Sequence, residues 1–417
     1  MSDRPLRSSS LPRRGLLLGS LATSAVVLTA CNTDDSGSTS GADTASDSAA
    51  GSSDGASSSA SDAAAAASIT VNVGGGEEDV PVSRLVTVTV QNATLTKVTV
   101  KAKGGDAVPG TLADNGYSWK ADDRLEPGTT YQVTAVYVDD AGSRATKKVV
   151  FRTMDLTLDQ QTYPSVAPLE GETVGIGMPV IVTFDVAVTN RKAIEKQMSV
   201  TAQPAQEGTW HWISAHEVHY RPKSYWKAGS KVTVDIDING VDAGNGIYGQ
   251  LSRTVNFEVG AAHIYRVNAK TDEMKVYIDG DMVKKIPITT GKPGYETRNG
   301  IKIIIEKYAS KRMNSETVGI SGADAYNIAG VKWAMRLTFS GEFIHAAPWS
   351  VADQGHSNVS HGCTGMSTEN AHWLYERSRR GDVVVTTNTN GDDMTLTNGW
   401  GDWNESYQQY AKGSALA

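Results

Sequence analysis

The sequence predicts a mainly β protein: two immunoglobulin-like β-sandwiches followed by a further β-rich domain with a short helix near its end. Three observations carry that prediction. Short runs of alternating apolar residues recur from Ile69 onward, Leu85–Val90 and Tyr131–Val138 among them, each bounded by Gly, Pro, Asn or Asp. The layout then repeats: the turn and strand Leu125–Val133 match Trp226–Val234, and Val149 and Phe151 are echoed by Val255 and Phe257. Finally, 417 residues exceed what one hydrophobic core usually serves, so several domains are expected.

At the N-terminus, Arg4, Arg7, Arg13 and Arg14 precede an apolar run from Gly15 to Ala30, the pattern of a secretory signal and too short to span a bilayer comfortably. The run ends in Leu28-Thr29-Ala30-Cys31, which resembles the lipobox of bacterial lipoproteins. Residues 1–30 then form the signal peptide, and Cys31 is lipidated and holds the exported chain on the cell membrane, facing the cell wall. Arg13-Arg14 permits a twin-arginine route without requiring it. Residues 31–68 carry the lipidated cysteine and a Ser/Ala/Gly-rich tether that cannot bury enough apolar surface to fold.

The sandwiches are expected at 69–154 and 155–260. Trp210, Trp212 and Trp226 fall in the second and are read as interior packing rather than a sugar platform. From 261 to 389 a third β-rich unit follows. Gly291, Gly294 and Gly300 fit no nucleotide motif there, since no helix signal follows them. Ser367 is placed to cap a helix running through about Arg380, with Glu369 in its first turn, basic residues in its last and Gly381 as its stop. Asp382–Thr387 reads as a return strand. In residues 390–417, Trp400, Trp403 and Tyr407 are expected to pack on the second sandwich. A net charge of -7, with no block of Lys or Arg beyond the first fourteen residues, gives no electrostatic footprint for nucleic acid.

The chemistry concentrates in one stretch, Phe343-Ile344-His345-Ala346-Ala347-Pro348-Trp349-Ser350 followed by Gln354 to Met366. Cys363 has no partner for a disulfide and lies among His345, His356 and His361, so it is a candidate nucleophile. Such chemistry needs a thiolate, and hence a base or cation nearby. Two rivals are a zinc site built from the same His and Cys residues, and a structural cysteine in an adhesive β-protein. Neither the Cys-x-x-Cys nor the His-x-x-x-His spacing of a metal site is present.

Residues Ile264 to about Asn388 resemble the L,D-transpeptidase catalytic domain, with His345 and Ser360-His361-Gly362-Cys363 matching that family's signature. The two sandwiches, Ala347-Pro348-Trp349-Ser350 and Gly399-Trp400-Gly401-Asp402-Trp403-Asn404 resemble the family's actinobacterial multidomain form. The resemblance implies Cys363 as nucleophile, His345 as general base and His361 as the second motif histidine. The Gly362 and Cys363 amides are expected to form the oxyanion hole. Tyr326, Met313, Trp349, Ser360 and Asn358 are expected to contact substrate, Tyr326 and Met313 beneath a mobile flap. The implied reaction takes a tetrapeptide stem of peptidoglycan as donor and the amine of a second stem's diamino acid as acceptor. It forms a 3-3 cross-link through a thioester, releases D-alanine and needs no cofactor. Susceptibility to carbapenems follows from the same resemblance. An L,D-carboxypeptidase and a non-catalytic wall-binding scaffold are the alternatives. Ala346 and Gly365 stand where relatives often carry Ser and Asn, so any hydrogen bond orienting His345 must come from a backbone carbonyl or another group.

Overall fold

The computed structural model describes residues 66–417, so the signal peptide, Cys31 and nearly all of the tether lie outside the described residues. Strands Ser68–Val71, Thr87–Gln91, Ser118–Ala121 and Gly110–Leu112 form one sheet in that order. Ala107–Val108, Ala93–Ala102, Thr130–Asp139 and Arg144–Arg152 form its partner. Alternation decides which side chains fill the space between: Tyr131, Val133 and Ala135 are buried while Gln132 is exposed. They join Trp119, Leu95 and Phe151 in one core, with Tyr131 stacked on Phe151 at 5.6 Å between centroids.

The second sandwich pairs a sheet of Pro164–Ala167, Val180–Phe184, Glu217–Pro222 and Gly208–Trp212 with one of Thr173–Val174, Arg253–Val259, Lys231–Ile236 and Met198–Gln203. The sequence repeat is also a repeat of register. Val133 lies opposite Val149 as Val234 lies opposite Val255, and Gly128 and Gly229 both turn at positive φ, 61° and 78°. Trp210, Trp212 and Trp226 are buried, the last two donating to Glu195 at 2.8 Å and to the Met178 carbonyl at 2.7 Å. Their faces are therefore closed to sugars.

Beyond residue 262 one sheet runs Asp281–Pro287, Glu273–Ile278, His263–Asn268, Val383–Thr387, Gly300–Ile303. The other runs Glu306–Asn314, Asn327–Arg336, Phe343–Ala346, Thr364–Met366. Phe343–Ala346 and Thr364–Met366 are parallel neighbours, with His345 opposite Gly365, so two segments remote in sequence meet side by side. The helix that packs on this sheet spans Thr368–Arg377, and Ser367 caps it by accepting from the Asn370 amide at 3.2 Å. It ends three residues before the expected Arg380. Ser378 is extended at ψ 148° and its hydroxyl turns back to the Leu374 carbonyl, so Arg379 and Arg380 fall outside the helix. Arg380 instead pairs with Glu172 of the second sandwich, its Nε donating at 2.8 Å.

That ion pair borders a shared core. Ile303, Ile305, Val383, Trp400 and Trp403 belong to the same buried cluster as Trp226 and Phe257 of the second sandwich. Gly175 and Gly177 pass directly over Gly381 and Asp382, where a Cβ on Gly175 would fall 2.2 Å from the Asp382 nitrogen. Trp403 donates to the Gly177 carbonyl at 2.8 Å, and the Arg221 guanidinium lies over the rings of Trp403 and Tyr410. Of the terminal aromatic residues Tyr410 is the most deeply buried, donating to Asp402 at 2.7 Å; Tyr407 sits nearer the surface.

Candidate active site

The cysteine loop is shaped by its glycine and its serine. Gly362 adopts φ 109°, a conformation unfavourable for residues with a Cβ. Ser360 then bridges the turn, its hydroxyl donating to the Cys363 carbonyl at 2.7 Å while accepting the Gly362 amide at 3.1 Å. The second hydrogen bond bears on one expectation: the Gly362 N–H is already committed within the loop. Of the two amides proposed for the oxyanion hole, only that of Cys363 is left for the role.

Cys363 and His345 line one cavity of about 260 Å³, together with His361, Tyr326, Met313, Trp349 and Ser360. Thr289, Ile328 and Val359 complete much of its wall. Asn358 is not among the lining residues. Its carbonyl oxygen accepts from the Thr290 amide and hydroxyl at 2.7 and 2.6 Å, and its amide donates to the Ala269 carbonyl at 2.8 Å. Asn358 thus ties the loop down. His356 is exposed and outside the cavity, and among the described residues no three His, Cys, Asp or Glu side chains gather as a metal site requires.

His345 is buried, and its Nδ1 lies 2.8 Å from the Ala346 carbonyl. Only an N–H can make that bond, so the proton sits on Nδ1 and Nε2 carries a free lone pair. The backbone thus supplies the orienting bond that the Ala346 side chain lacks. Trp349 lies over His345, ring centroids 5.8 Å apart and 29° from parallel, while remaining 57% exposed at the rim. A side chain at Gly365 would crowd its surroundings, since a Cβ there would meet Ala347 Cβ at 3.0 Å and Thr289 Cγ2 at 3.1 Å.

Burial governs the charge state of both groups. It pushes the Cys363 thiol up to about 12, against the opposing influence of the Phe343 amide, with Glu342 adding to the rise and Lys302 offsetting it. Burial also holds His345 below the usual imidazole range, the Ala346 carbonyl opposing only in part. The resting pair is therefore neutral thiol and neutral imidazole. Cys363 Sγ rests 3.6 Å from the Gly341 carbonyl.

His361 plays a different part. Its ring lies between Tyr295 and Tyr326, at 4.8 and 5.2 Å, with Nε2 3.5 Å from Asp324, too long for a strong hydrogen bond. Asp324 also accepts from Lys292 at 2.6 Å and from the Tyr295 hydroxyl at 3.2 Å, and the Lys292 bond leads in holding its carboxyl below the usual range. His361 so links the cysteine loop to the segment carrying Tyr326. Lys292, Tyr295 and Asp324 escaped sequence reasoning; the Asp-Ala-Tyr-Asn run around Tyr326 was the one signal that could have pointed to Asp324.

Residues 262–386 match the L,D-transpeptidase catalytic domain, and residues 77–242 match a bacterial Ig domain. L,D-transpeptidase 2 of Mycobacterium tuberculosis is 36% identical over 351 residues, covering 84% of this chain and 85% of that protein. The chain belongs to the L,D-transpeptidase family. A second L,D-transpeptidase of the same species, number 1, is 32% identical over 53% of this chain and 82% of its own length. Among solved structures, L,D-transpeptidase 3 from M. tuberculosis with a faropenem-derived adduct is 32% identical, covers 54% of this chain and 97% of that one, and superposes with a TM-score of 0.46. This family member thus carries the L,D-transpeptidase catalytic domain behind its Ig-like sandwiches.

Proposed function

We propose that the protein is an exported peptidoglycan L,D-transpeptidase that forms 3-3 cross-links through Cys363. Residues 1–30 act as signal peptide, lipidated Cys31 and the tether to residue 68 hold it at the membrane, and the sandwiches of 69–154 and 155–260 carry the catalytic domain of 261–389, with 390–417 packed behind. The single observation that supports the chemistry is the presence, in the lining of one cavity, of a buried thiol and an imidazole whose Nδ1–H is fixed on a carbonyl. His345 Nε2 accepts the thiol proton as the sulfur attacks the carbonyl of the third stem residue. The Cys363 amide faces the developing oxyanion, and His345 returns the proton to the departing D-alanine nitrogen, leaving a thioester. The amine of a second stem attacks that thioester, loses a proton to His345, and releases the thiol and a new amide. Tyr326, Met313 and Trp349 give the cavity apolar walls that disfavour water as competing nucleophile.

The test is incubation of purified protein with tetrapeptide muropeptides and separation of products by mass. Cross-linked dimer with free D-alanine supports the reading; trimmed tripeptide alone identifies a carboxypeptidase; no change with folded protein rejects an enzyme. Meropenem, whose strained lactam carbonyl presents the same electrophile, is expected to leave one adduct mapping to Cys363, and none on Cys363→Ala.

A further inference from the structure

Beneath the cysteine loop lies a charge cluster for which the reaction above has no use. Lys302 has no exposed surface, and its ammonium meets the Glu342 carboxylate at 2.5 Å. Arg298 reaches the other Glu342 oxygen at 3.1 Å with both its guanidinium and its backbone amide. Burying a lysine costs several kcal/mol that an apolar residue of like volume avoids. An interior that needed only packing would therefore not select it.

The position of Glu342 relates the cluster to the sulfur. It stands between Gly341, whose carbonyl faces Cys363 Sγ at 3.6 Å, and Phe343 in the strand that also carries His345. Its Cγ lies 3.7 Å from where a Cβ on Gly362 would be, so the carboxylate stem presses against the turn that aims the nucleophile. Lys302 and Glu342 are buried, where water screens little, while Arg298 closes the pair from the edge with its side chain 34% exposed. His345, His361 and Tyr326 line the cavity on the other side of the sulfur, and burial holds His345 below and Tyr326 above their ordinary values, so those two are neutral near neutral pH.

We propose that Lys302 and Glu342 are positioning residues that set the reactivity of Cys363: Lys302 favours the thiolate as it forms, and Glu342 holds the thiol protonated until substrate arrives. The proposal rests on Cys363 being the reactive group, and extends that reading to the groups behind it. Burial lifts the Cys363 thiol most, and the two charges act on it with the opposite signs this division requires.

The experiment measures alkylation of Cys363 by iodoacetamide, an uncharged probe, across pH in the native protein, Lys302→Met, Glu342→Gln and the double variant, with thermal melts alongside. At about pH 8 the Lys302→Met rate is expected to fall roughly threefold to tenfold and the Glu342→Gln rate to rise comparably, the double variant lying between. The double variant buries no unpaired charge, so it keeps the comparison available if Lys302→Met fails to fold. Rates that coincide within twofold, in variants that keep the native melt, overturn the proposal. Alkylation does not depend on cross-linking activity. A protein that makes no dimer yet shows the ordered rates would refute the transpeptidase reading and leave the charge effect standing.

Discussion

The neutral thiol and imidazole of Cys363 and His345 have a measurable signature. A base must be unprotonated to work, and burial holds His345 below its ordinary value of 6.5. Its free form therefore persists to more acid pH than an exposed imidazole allows. The acid limb of kcat/KM is expected to reach half its plateau below pH 6.5; a midpoint above that value would contradict the geometry described for His345. Ser360 gives a second test. Ser360→Ala removes both bonds that shape the turn, at a cost of about 1–3 kcal/mol, and frees the Gly362 amide. Meropenem acylation is expected to slow more than the melting temperature alone would suggest, because the loop that aims the sulfur loosens. That Cys363 would gather with histidines was legible in a lone thiol among His345, His356 and His361, but that His345 and His361 would be the ones sharing its cavity followed only from the family resemblance. The resting protonation state was not legible, since it depends on burial that residue types do not reveal.

Among the elements, the parallel pairing of Phe343–Ala346 with Thr364–Met366 positions the reaction centre. Gly365 lies at its tightest point, opposite His345. Gly365→Asn, which would restore the side chain many relatives carry, is expected to destabilise the protein by about 1–3 kcal/mol and to lower the acylation rate, because the new Cβ pushes on Ala347 and Thr289. Unchanged melting with faster acylation would show instead that the loop has slack. Alternating apolar residues made the strands legible, and Ser367 with its downstream polar turn marked the helix start. The end of that helix was not legible: Arg379 and Arg380 look like a basic last turn, yet Arg380 answers to Glu172, more than two hundred residues away. The partners of Asn358 were hidden for a similar reason: only the fold reveals Thr290 and Ala269 beside it.

For the molecule as a whole, the second sandwich and the catalytic domain share a core, and the terminal segment locks onto both. Burial alone would depress His219, but Asp402 and Glu217 overrule it and raise its pKa to about 9, while His219 in turn overrules the burial that would raise Asp402 and holds it low. The histidine's contribution to stability is full below the unfolded value of 6.5 and is lost as pH climbs through about 9. The aspartate's is present above 3.8 and lost in more acid solution. Melting temperature is therefore expected to decline between pH 6.5 and 9 in the native protein and to lose that slope in His219→Ala. The same variant strands a buried carboxylate, at a cost of about 3–5 kcal/mol. The sandwiches themselves could be anticipated from their repeat, but not their union with the catalytic domain. Gly175, Gly177 and Gly381 look like ordinary turn glycines until their backbones are found touching. That contact has a mechanical corollary. A load on the second sandwich would reach the cavity mouth by swinging a stiff body instead of flexing a hinge, so the angle at which the Cys363 cavity is presented is fixed by the carrier.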